Sequence, residues 1–320
     1  MRRLLSVAAL AAMGLSAPAG AQEVTLKAAV FVPPTSVYGA IFKRWADEVN
    51  RRGKGTLQIN SVGPEAVPTF EQWNAVKSGV VDMHAGPPAY YLGQVVETES
   101  MVLSDYSVPE MRKNGTLKLF DEYHRQKLNA VQLTAYGDGV GFNLYTIRPI
   151  NTANKEKPLE GFTLRATPNF IPFFIALGAR TVTTPPGEIY TALERRTVDG
   201  YGWPIWGIGD FQWTKFTKYR YDPSFFSVIV NILVNQDRFN KLGKKQRDFL
   251  HEMSLWMEAE FPKWRAEINA KEADIQKKAG VEVVDMGPAW RKKAHDVYWE
   301  ALAKRAPEGI AKLRPLLTKH

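Results

Sequence analysis

The sequence predicts an α/β fold made of two similar lobes with a ligand cleft between them, and three observations support this prediction. The chain of 320 residues begins as a strand, a helix and a second strand. Two later segments share one pattern of residues at a constant offset. No linker or low-complexity tract separates these segments into independent domains, so we expect interleaved lobes, with the chain crossing between them more than once.

The beginning of the chain has the pattern of a β-α-β unit. Val24–Val30 is rich in β-branched and apolar residues, and Pro33-Pro34 follows it. Apolar residues then recur at helical spacing as far as Gly53, before the strand Leu57–Val62. These apolar residues are Tyr38, Ile41, Phe42, Trp45 and Val49. Such a unit implies a largely parallel sheet, whose ligand site lies at the carboxyl ends of its strands.

Two segments match each other without a gap at an offset of 117 residues. The matching residues are Pro68, Glu71, Trp73, Ala75, Val76, Val81, Asp82 and Pro87 in the first segment, and Pro185, Glu188, Tyr190, Ala192, Leu193, Val198, Asp199 and Pro204 in the second. Each predicts a loop, a short helix near a first-turn glutamate and a strand that stops at a proline. We expect the strand ends Gly86-Pro87 and Trp203-Pro204 to face each other across the cleft. A chance match of common residue types is the alternative.

The second half of the chain predicts one more crossing and a helical end. Residues 225–234 form an apolar run that fits a single buried strand passing between the lobes. Apolar residues from Leu250 to Ile268 step by three or four and Ile275 lies two turns further on, which predicts a long helix, bent or broken near Pro262. A short strand over 281–284 and a last amphipathic helix over 290–302 follow.

These elements predict where the lobes begin and end. We assign residues 22–141 plus about 228–262 to lobe I, and residues 142–227 plus about 263–320 to lobe II.

Residues 1–21 have the form of a signal peptide. Arg2 and Arg3 precede the apolar stretch Leu4–Leu15, and Ala19-Gly20-Ala21 has the small-x-small pattern of a cleavage site. We therefore expect cleavage after Ala21 and export to a bacterial periplasm, where the absence of cysteine is permitted. The apolar stretch is shorter than the roughly 20 residues that a membrane span needs. An uncleaved anchor helix is the alternative.

Composition and motifs argue against several classes of function. The zero cysteines exclude a disulfide scaffold, a thiolate metal site and a cysteine nucleophile. The chain has 42 basic and 33 acidic residues. Most of the basic residues lie beside acidic ones on predicted helix surfaces, as in Lys271-Glu272-Ala273-Asp274, and this arrangement disfavours nucleic acid binding. The chain has no hydrolase motif and no metal-loop spacing of carboxylates. We therefore expect no enzyme activity, metal or cofactor.

One basic residue differs from the others. Arg165 follows Phe162-Thr163-Leu164 in a predicted strand over 161–166, between Pro158 and Pro168. An arginine inside a strand is costly without an anion, and a bidentate pair with a carboxylate offsets that cost with fixed geometry. The anion is either a ligand carboxylate or an aspartate of the chain itself.

Four motifs in order resemble those of a known family. They are Leu159-Glu160-Gly161-Phe162-Thr163-Leu164-Arg165, Ala176-Leu177-Gly178-Ala179, Gly187-Glu188-Ile189-Tyr190-Thr191-Ala192-Leu193 and Val198-Asp199-Gly200. This run resembles the signature of the DctP-type solute-binding proteins of tripartite ATP-independent periplasmic (TRAP) transporters. The resemblance implies a periplasmic-binding-protein fold whose two lobes close on an organic acid, with Arg165 binding its carboxylate. It also implies delivery to a membrane permease driven by an ion gradient, by a monomer that meets the membrane only through that permease.

The chain departs from this family at two places that bear on the ligand. Members that bind dicarboxylates or sialic acid commonly carry Glu-Asn-Pro after the Asp-Gly, whereas this chain has Gly202-Trp203-Pro204. A second arginine found in many members aligns with Phe142. Both departures replace a polar contact with an aromatic surface. They predict an aromatic or otherwise apolar monocarboxylate, such as a benzoate-, phenylacetate- or mandelate-like acid.

The predicted ligand-binding residues combine these positions with aromatic residues and prolines after strands. They are Arg165, Trp203, Phe142, Phe31, Tyr90, Tyr91, Pro87, Tyr201, Phe170 and Pro186. Trp206 lies close to these residues in sequence, and a role in packing between the lobes is as consistent with its position as contact with the ligand. Two alternatives remain at this stage: a C4-dicarboxylate or keto acid as ligand, and a role as a periplasmic sensor that presents its ligand to a signalling receptor.

Overall fold

The computed structural model describes residues 23–319, so the predicted signal peptide lies outside the described residues. The strands are β1 Val24–Val30, β2 Leu57–Val62, β3 Met83–Gly86, β4 Ala130–Tyr136, β5 Gly141–Thr146, β6 Thr163–Arg165, β7 Arg180–Val182, β8 Gly200–Pro204, β9 Tyr219–Ser227, β10 Val230–Asn235 and β11 Glu282–Asp285. The helices are α1 Val37–Arg52, α2 Gln72–Ser78, α3 Val108–Lys113, α4 Thr116–Leu128, α5 Ile171–Ala176, α6 Ile189–Glu194, α7 Gln236–Lys241, α8 Lys244–Lys278, α9 Pro288–Arg305 and α10 Pro307–Leu317.

The strands form two sheets, in the orders β2-β1-β3-β10-β4 and β11-β9-β5-β8-β6-β7. The described chain crosses between the sheets from β4 to β5, from β9 to β10, and through α8 to β11, so the predicted interleaving is confirmed. The prediction of largely parallel sheets is confirmed, with one exception in each sheet. β5 and β10 each enter a sheet directly from the other one and run antiparallel to both neighbours, while the other strands of each sheet share one direction.

The β-α-β unit at the start is confirmed, and local contacts explain its helix. The Ser36 side chain accepts a hydrogen bond from the Gly39 amide at the start of α1, which satisfies one of the free N–H groups of the first turn. The Trp45 indole, fully buried, donates to the Met253 carbonyl at 2.9 Å. This hydrogen bond holds α1 against α8.

The two matching segments adopt the same local structure. A 3₁₀ turn, Thr69–Glu71 in one segment and Pro186–Glu188 in the other, leads directly into α2 and α6. The two glutamates have nearly equal backbone angles, with φ and ψ of −99° and −10° at Glu71 and of −96° and −9° at Glu188. The shared residue pattern therefore corresponds to a shared backbone path.

Two predictions for the second half of the chain need correction. Residues 225–234 form parts of two strands, because the chain leaves β9 at Ser227, passes through the buried Val228 and Ile229, and joins the other sheet as β10. The helix predicted to be bent or broken near Pro262 is not broken there. Its 35 residues are continuous, because a proline removes one backbone hydrogen bond while the buried side chains on both sides of it keep their packing.

The C-terminal end holds two helices where the sequence predicted one. α9 ends at Arg305, because the extended φ of −144° at Ala306 breaks the helical path, and Pro307 starts α10. α10 packs on the 3₁₀ segment Glu97–Leu103 and on α4. We keep the predicted division into lobes, 22–141 plus about 228–262 and 142–227 plus about 263–320, as a proposal. No helix within residues 23–319 is long and apolar enough to cross a membrane.

Two histidines, His84 of β3 and His124 of α4, are fully buried. Burial lowers the pKa of His84 to about 3 and the pKa of His124 to about 4. Both rings are therefore neutral in the folded protein at mildly acidic pH.

We expect acidification from pH 7 to pH 5 to reduce the contribution of these two histidines to the stability of the protein. Unfolded histidines bind protons near pH 6.5, whereas these two stay neutral in the fold until about pH 4 or 3, so their contribution is full above pH 6.5 and falls below it. The loss is up to about 1.4 kcal/mol per pH unit for each histidine. Urea unfolding at pH 7, 6 and 5 measures it. His124→Gln should flatten the dependence and the exposed His251→Gln should not; equal slopes in the two variants would contradict the prediction.

Candidate functional site

A cavity of about 390 Å³ lies between the two sheets. Its walls come from Phe31, Tyr38, Pro87, Ala89, Tyr90 and Val230 on the side of the first sheet, from Phe142, Arg165, Thr167, Asn169, Phe170, Trp203 and Pro204 on the side of the second, and from Val228 in the crossing between them. Seven of the ten predicted residues line it: Phe31, Pro87, Tyr90, Phe142, Arg165, Phe170 and Trp203.

The topology explains why these residues meet. Phe31 follows β1 and Pro87 follows β3, so both lie at the carboxyl ends of parallel strands. Arg165 and Pro204 end β6 and β8 in the same way in the second sheet. The carboxyl ends of parallel strands gather at one edge of a sheet, and here the two edges face each other across the cavity.

Arg165 is fully buried at the end of β6. Its Nε and Nη2 atoms both donate to the Thr184 carbonyl oxygen, at 2.9 and 2.8 Å, and Nη1 lies 3.5 Å from the Gly202 carbonyl oxygen. No carboxylate of residues 23–319 forms a salt bridge with it, so the alternative of an internal aspartate partner is not realised. The guanidinium therefore has hydrogen-bond partners but no counter-ion.

Electrostatics agree with this description. Burial lowers the pKa of Arg165, and the neighbouring Tyr90 side chain partly offsets the effect. An arginine nonetheless stays protonated at neutral pH, because its usual pKa is above 12. The ring of Trp203 lies 5.7 Å from the guanidinium carbon, a distance at which cation–π attraction contributes. The cavity therefore holds one desolvated positive charge next to an aromatic wall.

The rest of the wall is apolar and mutually packed. Phe142 and Phe170 make an edge-to-face pair with ring centroids 4.9 Å apart. Across the cavity, the centroid of the Phe31 ring lies 5.9 Å from that of Tyr90 and 6.1 Å from that of Tyr38. Among the described residues that line the cavity, Arg165 alone is charged. The cavity therefore combines one positive charge with a wall that is otherwise uncharged and mostly apolar.

Three predicted residues lie outside the cavity. Tyr91 follows Tyr90 in a 3₁₀ turn and points the other way, where its hydroxyl accepts a hydrogen bond from the Asn231 amide at 2.6 Å. Tyr201 is the second residue of β8, and its ring stacks on that of Tyr145 with centroids 5.2 Å apart. Pro186 is buried at the start of a 3₁₀ turn. Trp206 is also outside: its ring packs 5.9 Å from Tyr38, which is the interlobe packing considered for it.

The sequence prediction missed several lining residues. Thr167 and Asn169 follow β6 directly, and the Thr167 hydroxyl donates to the Asn169 side-chain oxygen at 2.5 Å. Their position in a loop after the arginine strand was the signal that was overlooked. Tyr38 was assigned to the apolar face of α1, and it lines the cavity from that face. Ala89, Val228 and Val230 carried no sequence signal of their own.

A buried acid lies behind the cavity wall. Glu99 is fully buried in the 3₁₀ segment Glu97–Leu103, close to Asn169 and Tyr298. Burial raises the pKa of Glu99 well above its usual range, which favours the neutral acid. A neutral Glu99 adds no negative charge that would repel a carboxylate in the cavity.

Two interleaved α/β lobes, with a cavity between them that holds a buried arginine lacking a counter-ion, define a two-lobed binding protein for an anionic solute. The chain belongs to the DctP family, bacterial extracellular solute-binding protein family 7, which matches residues 28–306. Members of this family bind small organic acids outside the cytoplasm and work with TRAP membrane permeases, and they are transport proteins rather than enzymes.

Relatives and solved structures support this assignment. A solute-binding protein of Albidiferax ferrireducens is 24% identical over 299 residues, which cover 86% of this chain and 84% of the relative. A TRAP periplasmic solute binding protein from Desulfovibrio salexigens with bound orotic acid has a TM-score of 0.80 at 18% identity, over 92% of this chain and 97% of that one. An apo open structure from Marinobacter aquaeolei VT8 has a TM-score of 0.75 at 17% identity, over 92% and 100%. Other solved neighbours hold L-galactonate, malonate or D-glucuronate.

Proposed function

We propose that this protein captures an aromatic or otherwise apolar monocarboxylate in the periplasm and delivers it, as a monomer, to a TRAP permease. The observation that carries the proposal is the fully buried Arg165, unpaired with any described carboxylate, in a cavity otherwise formed by apolar and aromatic side chains and two neutral polar ones. A ligand carboxylate supplies the missing counter-ion, and a guanidinium binds it in a bidentate manner.

In this proposal, the body of the ligand lies between the aromatic walls. Phe142, Phe170 and Trp203 line one side of the cavity, and Phe31, Tyr38 and Tyr90 line the other. Burial of a ring against such walls is favourable by about 25 cal/mol for each Å² removed from water, with roughly 0.5 to 1.5 kcal/mol more for each well-oriented aromatic pair. A second carboxylate would be buried without a cationic partner, which disfavours dicarboxylates.

Binding is coupled to closure of the lobes and involves no reaction. Lining residues come from both sheets, so a ligand makes its full set of contacts only when the two sheets are close together. The neighbour that binds orotic acid, an acid with one carboxylate on a planar ring, is compatible with such a ligand. The neighbours that hold malonate or sugar acids have the same fold, so the fold by itself leaves the ligand open.

A thermal-shift screen tests the ligand class. A ligand at about 100 times its dissociation constant stabilises a protein by about 2.7 kcal/mol, which corresponds to a shift of roughly 5 °C for a chain of this size. We expect benzoate, phenylacetate or mandelate to shift the unfolding temperature of the wild-type protein and to leave that of Arg165→Ala unchanged. Shifts with succinate or malate, and none with the aromatic acids, would show that the cavity binds dicarboxylates.

A further inference from the structure

A hydrogen bond outside the cavity joins a helix beside the first sheet to a loop beside the second. The backbone amide of Val37, the first residue of α1, donates to the Oδ2 atom of Asp210 at 2.7 Å. α1 follows β1 of the first sheet, and Asp210 lies in the loop that follows β8 of the second sheet. The contact joins residues 173 positions apart in sequence and therefore depends on how the two sheets are placed.

The chemistry of this contact is favourable. The first N–H groups of a helix have no partner within the helix, and the helix dipole attracts negative charge to this end. Ser36 caps the Gly39 amide, and the Asp210 carboxylate supplies a partner for the Val37 amide. No salt bridge involves Asp210 within the described part of the chain. Its contact with α1 is therefore its main short-range electrostatic interaction.

The loop that carries Asp210 is held in place from its other side by α8. The Gly207 amide donates to Glu272 at 2.8 Å, and the Trp206 indole donates to Asn269 at 2.7 Å. Gly207 has a φ of +89°, and a Cβ atom there would lie 3.2 Å from the Val37 side chain. The loop therefore approaches α1 closely, along a path that glycine allows.

The same loop is continuous with the cavity wall. The Trp203 indole, in the wall, donates to the Trp206 carbonyl oxygen at 3.0 Å. On the opposite side, Tyr38 of the wall directly follows Val37 and packs on the Trp206 ring. The Asp210–Val37 contact thus lies beside the cavity without touching it, since neither residue lines its walls.

We infer that Asp210 is an affinity-determining residue that acts through closure of the lobes rather than through contact with the ligand. Arg165 is fully buried and residues from both sheets line one cavity around it, so the arrangement of this structure is a closed one. The Asp210 carboxylate on the α1 N-terminus stabilises this closed arrangement. The open structure of the Marinobacter relative shows that a protein of this fold also adopts a separated arrangement. A shift of the equilibrium toward the open form lowers the affinity for every ligand that needs the closed form, and by the same factor for each. The inference rests on solute binding by this site and is independent of which acid is bound.

Calorimetry with three probes tests this inference. We expect Asp210→Ala to lower the affinity for benzoate, phenylacetate and orotate by the same factor, about fivefold to thirtyfold. Asp210→Asn keeps an oxygen acceptor without the charge, so we expect a smaller loss. Asp248→Ala removes an exposed aspartate of α8 and should leave all three affinities unchanged. Unchanged affinities in Asp210→Ala, or a loss confined to one probe, would overturn the inference.

A second measurement needs no ligand. The chain has no cysteine, so dyes can be placed at Asn60→Cys and Arg180→Cys, exposed positions on the edge strands β2 and β7 of the two sheets. We expect single-molecule energy transfer to count a closed population in the unliganded protein and to find it reduced by Asp210→Ala. An equal closed population in both proteins would overturn the inference that Asp210 stabilises the closed form. If no probe binds the wild-type protein, the proposed ligand class fails, while this measurement still decides the role of Asp210.

Discussion

Arg165→Lys is expected to weaken binding of the aromatic acid identified by the thermal screen by about 100-fold, and Arg165→Ala by roughly 1,000-fold. Two nitrogens of Arg165 are held by the Thr184 carbonyl, which fixes the plane of the guanidinium. An ammonium group keeps the charge but lacks the planar fork that binds both carboxylate oxygens. Isothermal titration calorimetry measures the two losses.

The matched control for this experiment is Arg180→Lys. Arg180 lies on the adjacent strand β7 with its side chain exposed, so the same substitution there should leave the affinity unchanged. Circular dichroism and the unfolding temperature establish that each variant is folded. Tight binding retained in a folded Arg165→Lys variant would contradict carboxylate recognition by this residue.

Trp203→Asn is expected to lower the affinity for the aromatic acid by roughly 30-fold to 1,000-fold, and Trp203→Phe to lower it by less than about tenfold. The indole forms part of the cavity wall beside Arg165, so asparagine removes both buried apolar area and aromatic contact. Phenylalanine keeps most of both. Titration with the aromatic acid and with succinate measures the change in selectivity, which should move toward the more polar acid.

Trp203 also packs against Trp213, with ring centroids 4.8 Å apart, so the stability of the variants matters. Trp256→Asn, at a tryptophan of α8 away from the cavity, shows what loss of a tryptophan does to stability without the site. If folded Trp203→Asn binds the aromatic acid as well as the wild-type protein does, Trp203 is a packing residue and does not determine specificity.

The order of the elements and the position of the arginine were predictable from the sequence. The first three elements have the predicted bounds to within a residue or two, because alternation, helical periodicity and proline or glycine breaks are local properties. Arg165 was identifiable because a charge within an apolar strand is unusual wherever the strand lies. The offset of 117 residues correctly indicated two segments with the same local structure.

The errors have a common physical origin. The single strand predicted over residues 225–234 divides because one apolar run serves two sheets, and hydrophobicity does not tell which sheet a residue joins. Of the bend or break predicted near Pro262, the break is absent because packing on both sides outweighs one lost hydrogen bond. The direction of β5 and β10 follows from crossings that no local pattern encodes.

The sequence by itself determined that this protein has two interleaved α/β lobes, that it belongs with the DctP-type binding proteins, and that Arg165 is its exceptional charge. Only the tertiary structure decided which aromatic residues face the cavity: Tyr90 and not Tyr91, Trp203 and not Tyr201. It also decided that Asp210 meets the start of α1. Composition and periodicity describe each element along its own axis, whereas a site between two lobes depends on how separate elements are turned toward each other.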